Sequence, residues 1–131
     1  MPHSLTSLTP NLIVSNVEQS ITFYRDTLGF DVQTTVPDFT PYVFAIITCG
    51  DVRIFLNSPE AAVSEYPVLG GRPLGGTLTL FIDVTGIRDL YEQLKARVTI
   101  VMPIEVKWYG QTEFAFADPD GYVITLAERE K

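Results

Sequence analysis

Histidine, cysteine and tryptophan each occur once in this 131-residue chain, as His3, Cys49 and Trp108. One cysteine cannot close an internal disulfide and excludes a cysteine-rich zinc site. It suits a reducing compartment. One histidine, ahead of the first expected strand, leaves Ser-His-Asp and Cys-His catalysis without an organised base. Basic charge is also scarce: 9 Lys and Arg stand against 16 Asp and Glu, a formal charge of −7. That balance repels phosphate backbones and anionic bilayers, so neither nucleic acid nor a membrane surface is expected as a partner. No apolar run approaches the roughly 20 residues that cross a bilayer. The opening MPHSLTSLTP has neither the basic nor the apolar region of a signal peptide. The expectation is a cytoplasmic protein.

What the chain does have is a core. Apolar residues make up 46% and charged residues 19%, which excludes a disordered chain and fits one domain of this length. Leu8 to Val14 reads as a strand bounded by Pro10. Ser15 followed by Glu18 reads as a capping box. Behind it Val17, Ile21, Tyr24 and Leu28 form one apolar helical stripe, stopped by Gly29. Strands are expected over Phe30 to Thr35, Tyr42 to Thr48 and Val52 to Asn57, the last two around Gly50-Asp51. After residue 76 the same order returns. Thr77 to Val84 reads as a strand, Ile87, Leu90, Tyr91 and Leu94 as a helix, and Thr99 to Met102, Thr112 to Ala117 and Tyr122 to Ala127 as strands.

A shift of seventy residues superposes the halves without gaps. Thr9 falls on Thr79, Val14 on Val84, Phe44-Ala45 on Phe114-Ala115, Ile54 on Ile124 and Leu56 on Leu126. This internal repeat predicts an α+β fold of two βαβββ modules, about 5–57 and 77–128. A Gly- and Pro-rich connector, 58–76, joins them within a single domain. A four-stranded sheet with one helix covers one face and leaves the other to be filled. The strands are apolar on both faces, which a solvated sheet would not be. The two modules are therefore expected to form one curved, eight-stranded mixed sheet with the helices outside. The concave face would be covered by a ligand, by a partner subunit, or by both.

The segments Ser20-Ile21-Thr22-Phe23-Tyr24-Arg25-Asp26 with Leu28-Gly29-Phe30, and Asp118-Pro119-Asp120-Gly121-Tyr122-Val123-Ile124 after Trp108-Tyr109-Gly110, resemble the two modules of the vicinal oxygen chelate superfamily. That superfamily includes glyoxalase I, bleomycin resistance proteins and extradiol dioxygenases. The resemblance covers nearly the whole chain and implies a homodimer with sites formed between modules. It also implies a divalent metal, held by a His on the first strand of each module and a Glu on the last. Laid on this chain, those positions are Thr9, Thr79, Phe55 and Thr125. A phenyl ring has no lone pair, and a neutral hydroxyl is a poor ligand without carboxylates or imidazoles beside it. The chain therefore resembles the metal-free, bleomycin-resistance-like branch, and no cofactor is expected.

Other motifs read first as structure. Asp118-Pro119-Asp120-Gly121 begins like a calcium loop, but the twelfth position is Arg129, so a capped turn with Gly at positive φ is expected. The Gly70–Gly76 segment lacks a phosphate-binding signature and reads as a linker. Cys49 reads as a small turn residue. Asp51, Asp83, Glu105 and Glu113 read as surface or turn carboxylates before acids or bases. The aromatics Phe55, Phe81, Trp108, Tyr109, Phe114 and Phe116 are expected around the groove, where rings suit planar or apolar ligands. Parity puts Thr9 with Asn11, Thr79 with Phe81 and Asp83, and Val123 with Thr125 on shared faces. The candidate ligand-binding residues are Thr9, Asn11, Phe55, Thr79, Phe81, Asp83, Trp108, Tyr109 and Thr125. The pattern does not fix the phase of strands 42–48 and 112–117. Three functions stay open: a small-molecule binding protein, a metal-dependent lyase, isomerase or dioxygenase with displaced ligands, and a structural module.

Overall fold

A computed structural model describes residues 3–131. The chain divides into two compact units, one up to Arg72 and one from Pro73. The first contains β1 (Asn11–Ile13), α1 (Val17–Leu28), β2 (Asp31–Val36), β3 (Phe44–Cys49), β4 (Val52–Asn57) and α2 (Pro59–Glu65), followed by a single 3₁₀ turn at Pro67–Leu69. The second contains β5 (Thr79–Asp83), α3 (Ile87–Leu94), β6 (Thr99–Val106), β7 (Gln111–Ala117) and β8 (Val123–Arg129). Both units are βαβββ modules, as the repeat requires. The eight strands are hydrogen-bonded as two sheets of four, in the orders β1-β4-β3-β2 and β5-β8-β7-β6. In each sheet the first and last strands of the module run parallel and the other pairs antiparallel. Among the described residues no helix is long and apolar enough to cross a membrane.

In the first unit the α1 stripe Val17, Ile21 and Tyr24 is buried with Leu12, Ala45, Ile47, Ile54 and Leu56, which alternate along their strands onto one sheet face. In the second, Ile87 and Leu94 of α3 are buried with Leu80, Phe114, Phe116, Ile124 and Leu126. Burial of these side chains is the main stabilising term, roughly 1.5–3 kcal/mol for each large one.

The two helices begin differently. The cap of α1 is Asn16, whose backbone is extended and whose side chain accepts the Gln19 N–H at 2.8 Å. Ser15 is therefore not the cap, and no capping box forms, because Glu18 instead accepts the Tyr42 N–H at 2.6 Å. Gly29 ends the helix at φ 80, the left-handed stop expected of it. Helix α3 has no side-chain cap of its own. Glu128 of β8 accepts the N–H groups of Gly86 and Ile87 at 3.2 and 3.0 Å, which places a carboxylate at the positive end of the helix.

The seventy-residue correspondence holds between the first and last strands of each module and fails at the hairpins. Asn11 pairs with Phe55, and Phe81 with Thr125, the same positions in each module. Ala45 pairs with Leu56, but its counterpart Ala115 pairs with Thr125 rather than with Leu126. The β3–β4 turn holds two residues between Cys49 and Val52, and the β7–β8 turn holds five between Ala117 and Val123. The offset is one residue, so β7 presents the opposite faces from those the gapless match implies. Phe44 lies on the face away from α1, beside Phe55 at 5.3 Å between ring centroids. Phe114 packs on Tyr91 of α3 at 4.9 Å.

The 118–121 turn forms as expected. Asp118 Oδ1 accepts the N–H groups of Asp120 and Tyr122, each at 2.9 Å, and Gly121 has φ 90. The connector meets this turn closely, since a Cβ on Gly75 would lie 2.5 Å from the Asp120 carbonyl oxygen.

Candidate ligand-binding faces

Each sheet has one face against its helix and one away from it, and the candidate residues lie on the second. In the second module three cross-strand rows make up that face. The first is Thr79, Val123, Ala117 and Thr99; the second is Phe81, Thr125, Ala115 and Met102; the third is Asp83, Ala127, Glu113 and Glu105. Besides Val123 and Glu113, the middle strands contribute the small side chains Ala115, Ala117, Thr125 and Ala127, of which Ala115, Thr125 and Ala127 are buried.

The polar groups on this face are partly engaged with one another. Thr79 and Thr125 place their hydroxyl oxygens 2.7 Å apart. The Tyr109 hydroxyl donates to Glu113 Oε2 at 2.7 Å, and Glu113 is only 4% exposed. This contact, followed by burial, holds the Tyr109 phenol above its usual range. Lys107 pairs with Glu105 and donates to Met102 Sδ at 3.3 Å. Phe81 is 52% exposed and Trp108 94%, and Trp108 touches the Tyr109 ring edge-on at 5.2 Å.

In the first module, Arg53, Phe55 and Asn57 alternate along β4 onto the face away from α1. Arg53 donates to Thr9 Oγ1 from Nε and Nη2 at 3.1 and 2.8 Å, and its guanidinium lies 5.4 Å from the Phe55 ring centroid. The Asn57 amide donates to Asn11 Oδ1. A cavity of about 230 Å³ opens beside this pair, lined by Asn11, Ile13, Asn57, Ala62, Tyr66 and Leu69. The connector, where a helical turn near Glu60 to Ser64 fits the sequence, therefore supplies part of a pocket wall through α2 and the turn after it.

The expected site residues thus meet within modules. Thr79 touches Thr125, Thr9 and Phe55 meet through Arg53, and Asp83 shares a row with Glu113. Phe114 and Phe116 do not join them. Both point to the α3 side and are buried, because the one-residue offset in β7 turns the small and acidic residues, not the rings, to the opposite face. Glu113, expected as a surface or turn carboxylate, is instead buried, and Arg53 is a site residue that the sequence analysis does not single out. Glu113 was signalled by alternation: with Phe114 and Phe116 assigned to the core, parity puts Glu113, Ala115 and Ala117 opposite. Arg53 shares parity with Phe55 and was signalled in the same way.

These positions do not fit a divalent cation. The Thr79 and Thr125 hydroxyls bond each other, Thr9 is occupied by a guanidinium, and Phe55 offers no donor atom. Among the described residues no three His, Cys, Asp or Glu side chains come together as a metal-holding group.

Comparison with known proteins adds the family context. The sequence profile of the Glyoxalase/Bleomycin resistance protein/Dioxygenase superfamily matches residues 4–126. A bleomycin resistance protein of Geobacillus stearothermophilus is 30% identical over 132 aligned positions, covering 93% of this chain and 96% of the relative. One from Staphylococcus aureus strain MRSA252 matches to the same extent. A superfamily member from Sphaerobacter thermophilus superposes with a TM-score of 0.77 at 28% identity, over 96% of this chain and 98% of that one. The bleomycin resistance determinant encoded on transposon Tn5 shares the fold at a TM-score of 0.70 and 21% identity, over 97% of this chain and 100% of its own.

Proposed function

The chain belongs to the Glyoxalase/Bleomycin resistance protein/Dioxygenase superfamily, and on that premise we propose that it binds and sequesters a small aromatic or apolar molecule without a metal ion. In the second module the ligand lies on the sheet face away from α3, against Thr79, Phe81, Asp83, Trp108, Tyr109 and Thr125; in the first module, taken by itself, it lies on the face away from α1, against Thr9, Asn11 and Phe55. The observation that carries this reading is the second module's face. There the rings of Phe81, Trp108 and Tyr109 are exposed beside the small residues Ala115, Ala117, Thr125 and Ala127 and the Tyr109–Glu113 pair. Exposed rings offer a planar or apolar ligand stacking surface. The Glu113 carboxylate orients the ligand by accepting a hydrogen bond from it. The relatives named as bleomycin resistance proteins support the same class of function. We further propose that the protein is a homodimer.

The test is a melting-shift and calorimetry series with planar heteroaromatic compounds, bleomycin among them. A saturable response that is weakened by Phe81→Ala, which removes an exposed ring, is the expected result. Stoichiometric Zn, Ni, Mn or Fe in untagged protein, together with turnover that depends on it, would overturn the reading in favour of a metal-dependent enzyme. Light scattering at micromolar concentration tests the dimer, and a monomeric mass would refute it.

A further inference from the structure

Arg53 brings a fixed positive charge to the place where the family's enzymes carry a metal ligand set. Its two contacts, the Thr9 hydroxyl and the Phe55 ring, are both neutral. A guanidinium has five N–H donors in a planar fork, and Thr9 engages two of its nitrogens from one side. Among the described residues Nη1 has no hydrogen-bond partner and no carboxylate pairs with the group. Arginine held in this way is suited to bidentate capture of a planar anion.

The surroundings say what the rest of the ligand resembles. Arg53, Phe55 and Asn57 share one face of β4 at alternate positions, so Arg53 and Asn57 are about 13 Å apart along the strand at roughly 3.3 Å per residue. Between them stand the packed rings of Phe55 and Phe44. At the far end lies the cavity with the Asn11–Asn57 amide pair and an apolar wall of Ile13, Ala62 and Leu69. We propose that Arg53 binds the carboxylate of an organic acid whose apolar or aromatic body covers Phe55 and whose far end enters this cavity. This rests on the binding-protein reading above and specifies the ligand's charged group.

The experiment compares four probes by calorimetry on the full chain: 2-naphthoate, neutral 2-naphthamide, cationic 2-naphthylmethylamine and inorganic phosphate. Naphthoate is expected to bind at least tenfold more tightly than the amide, on the order of one charge-assisted hydrogen bond. Arg53→Gln removes that preference while leaving amide binding in place, and Arg53→Lys restores it in part. Equal binding of naphthoate and naphthamide, or a preference for the amine, overturns the Arg53 assignment and leaves the binding-protein reading intact. Phosphate binding as tightly as naphthoate makes the site a bare anion site and refutes the organic acid. If none of the three naphthyl probes binds, both readings fall. Circular dichroism and the melting temperature of Arg53→Gln establish that the exposed substitution has not unfolded the chain.

Discussion

The Tyr109 hydroxyl rests 2.7 Å from Glu113 Oε2, and Glu113 is almost fully buried on a sheet face that no helix of its module covers. A buried carboxylate needs donors, and Tyr109 supplies one from the β6–β7 turn. That turn is closed by Lys107 N–H to the Gln111 carbonyl and Gly110 N–H to the Lys107 carbonyl. The aromatic wall and the acid beneath it are therefore one unit, which a ligand would meet together.

Alkaline titration should reveal this pair. The hydrogen bond to Glu113 favours the neutral phenol, so Tyr109 ionises above the ordinary tyrosine range. A raised folded-state value contributes stability that is present below the unfolded phenol's pKa and is lost as pH rises through the folded one. Absorbance titration of Glu113→Leu should bring one tyrosine back toward the ordinary range. An unchanged curve would show that Glu113 does not govern Tyr109.

At the acid end the informative pair is Arg88 and Glu130, 3.2 Å apart. The Arg88 contact first, then the Thr112 hydroxyl, hold the Glu130 carboxyl below its usual range. Its stabilising contribution is present above the unfolded carboxylate's pKa and disappears as pH falls through the depressed value. Thermal melts of wild type and Glu130→Gln should differ at pH 7 and converge in strong acid. A difference that persists there would place its origin outside this ionisation.

Helix α1 offers a test of which residue caps it. Asn16→Ala removes the acceptor for the Gln19 N–H and should cost about 1 kcal/mol in urea denaturation. Ser15→Ala leaves the Asn16 cap in place and should cost less than Asn16→Ala. Equal losses would refute the assignment.

Gly75 and Gly76 both have positive φ, yet they differ in surroundings. Alanine at position 75 would drive its Cβ into the Asp120 carbonyl, whereas nothing lies within 4 Å at position 76. Denaturation should therefore show Gly75→Ala destabilised by more than about 1 kcal/mol and Gly76→Ala by less than Gly75→Ala.

The order of elements, both helical stripes and the matching of first to last strands could be read from the chain, because apolar spacing repeats with the period of the element that buries it. The chemistry of Thr9, Phe55, Thr79 and Thr125 could be read as well, since residue type declares it. Tertiary structure alone decided what those positions touch. Arg53 reaches Thr9 across a parallel strand pair, and Glu128 caps α3 from β8, contacts more than forty residues apart in sequence. It also decided the phase of β7. A strand with apolar residues at successive positions does not say which face meets the helix. The length of the turn that follows sets the register and with it the side to which every side chain points. That one-residue difference sends Phe114 and Phe116 toward α3 and leaves Glu113, Ala115 and Ala117 on the face of the candidate site.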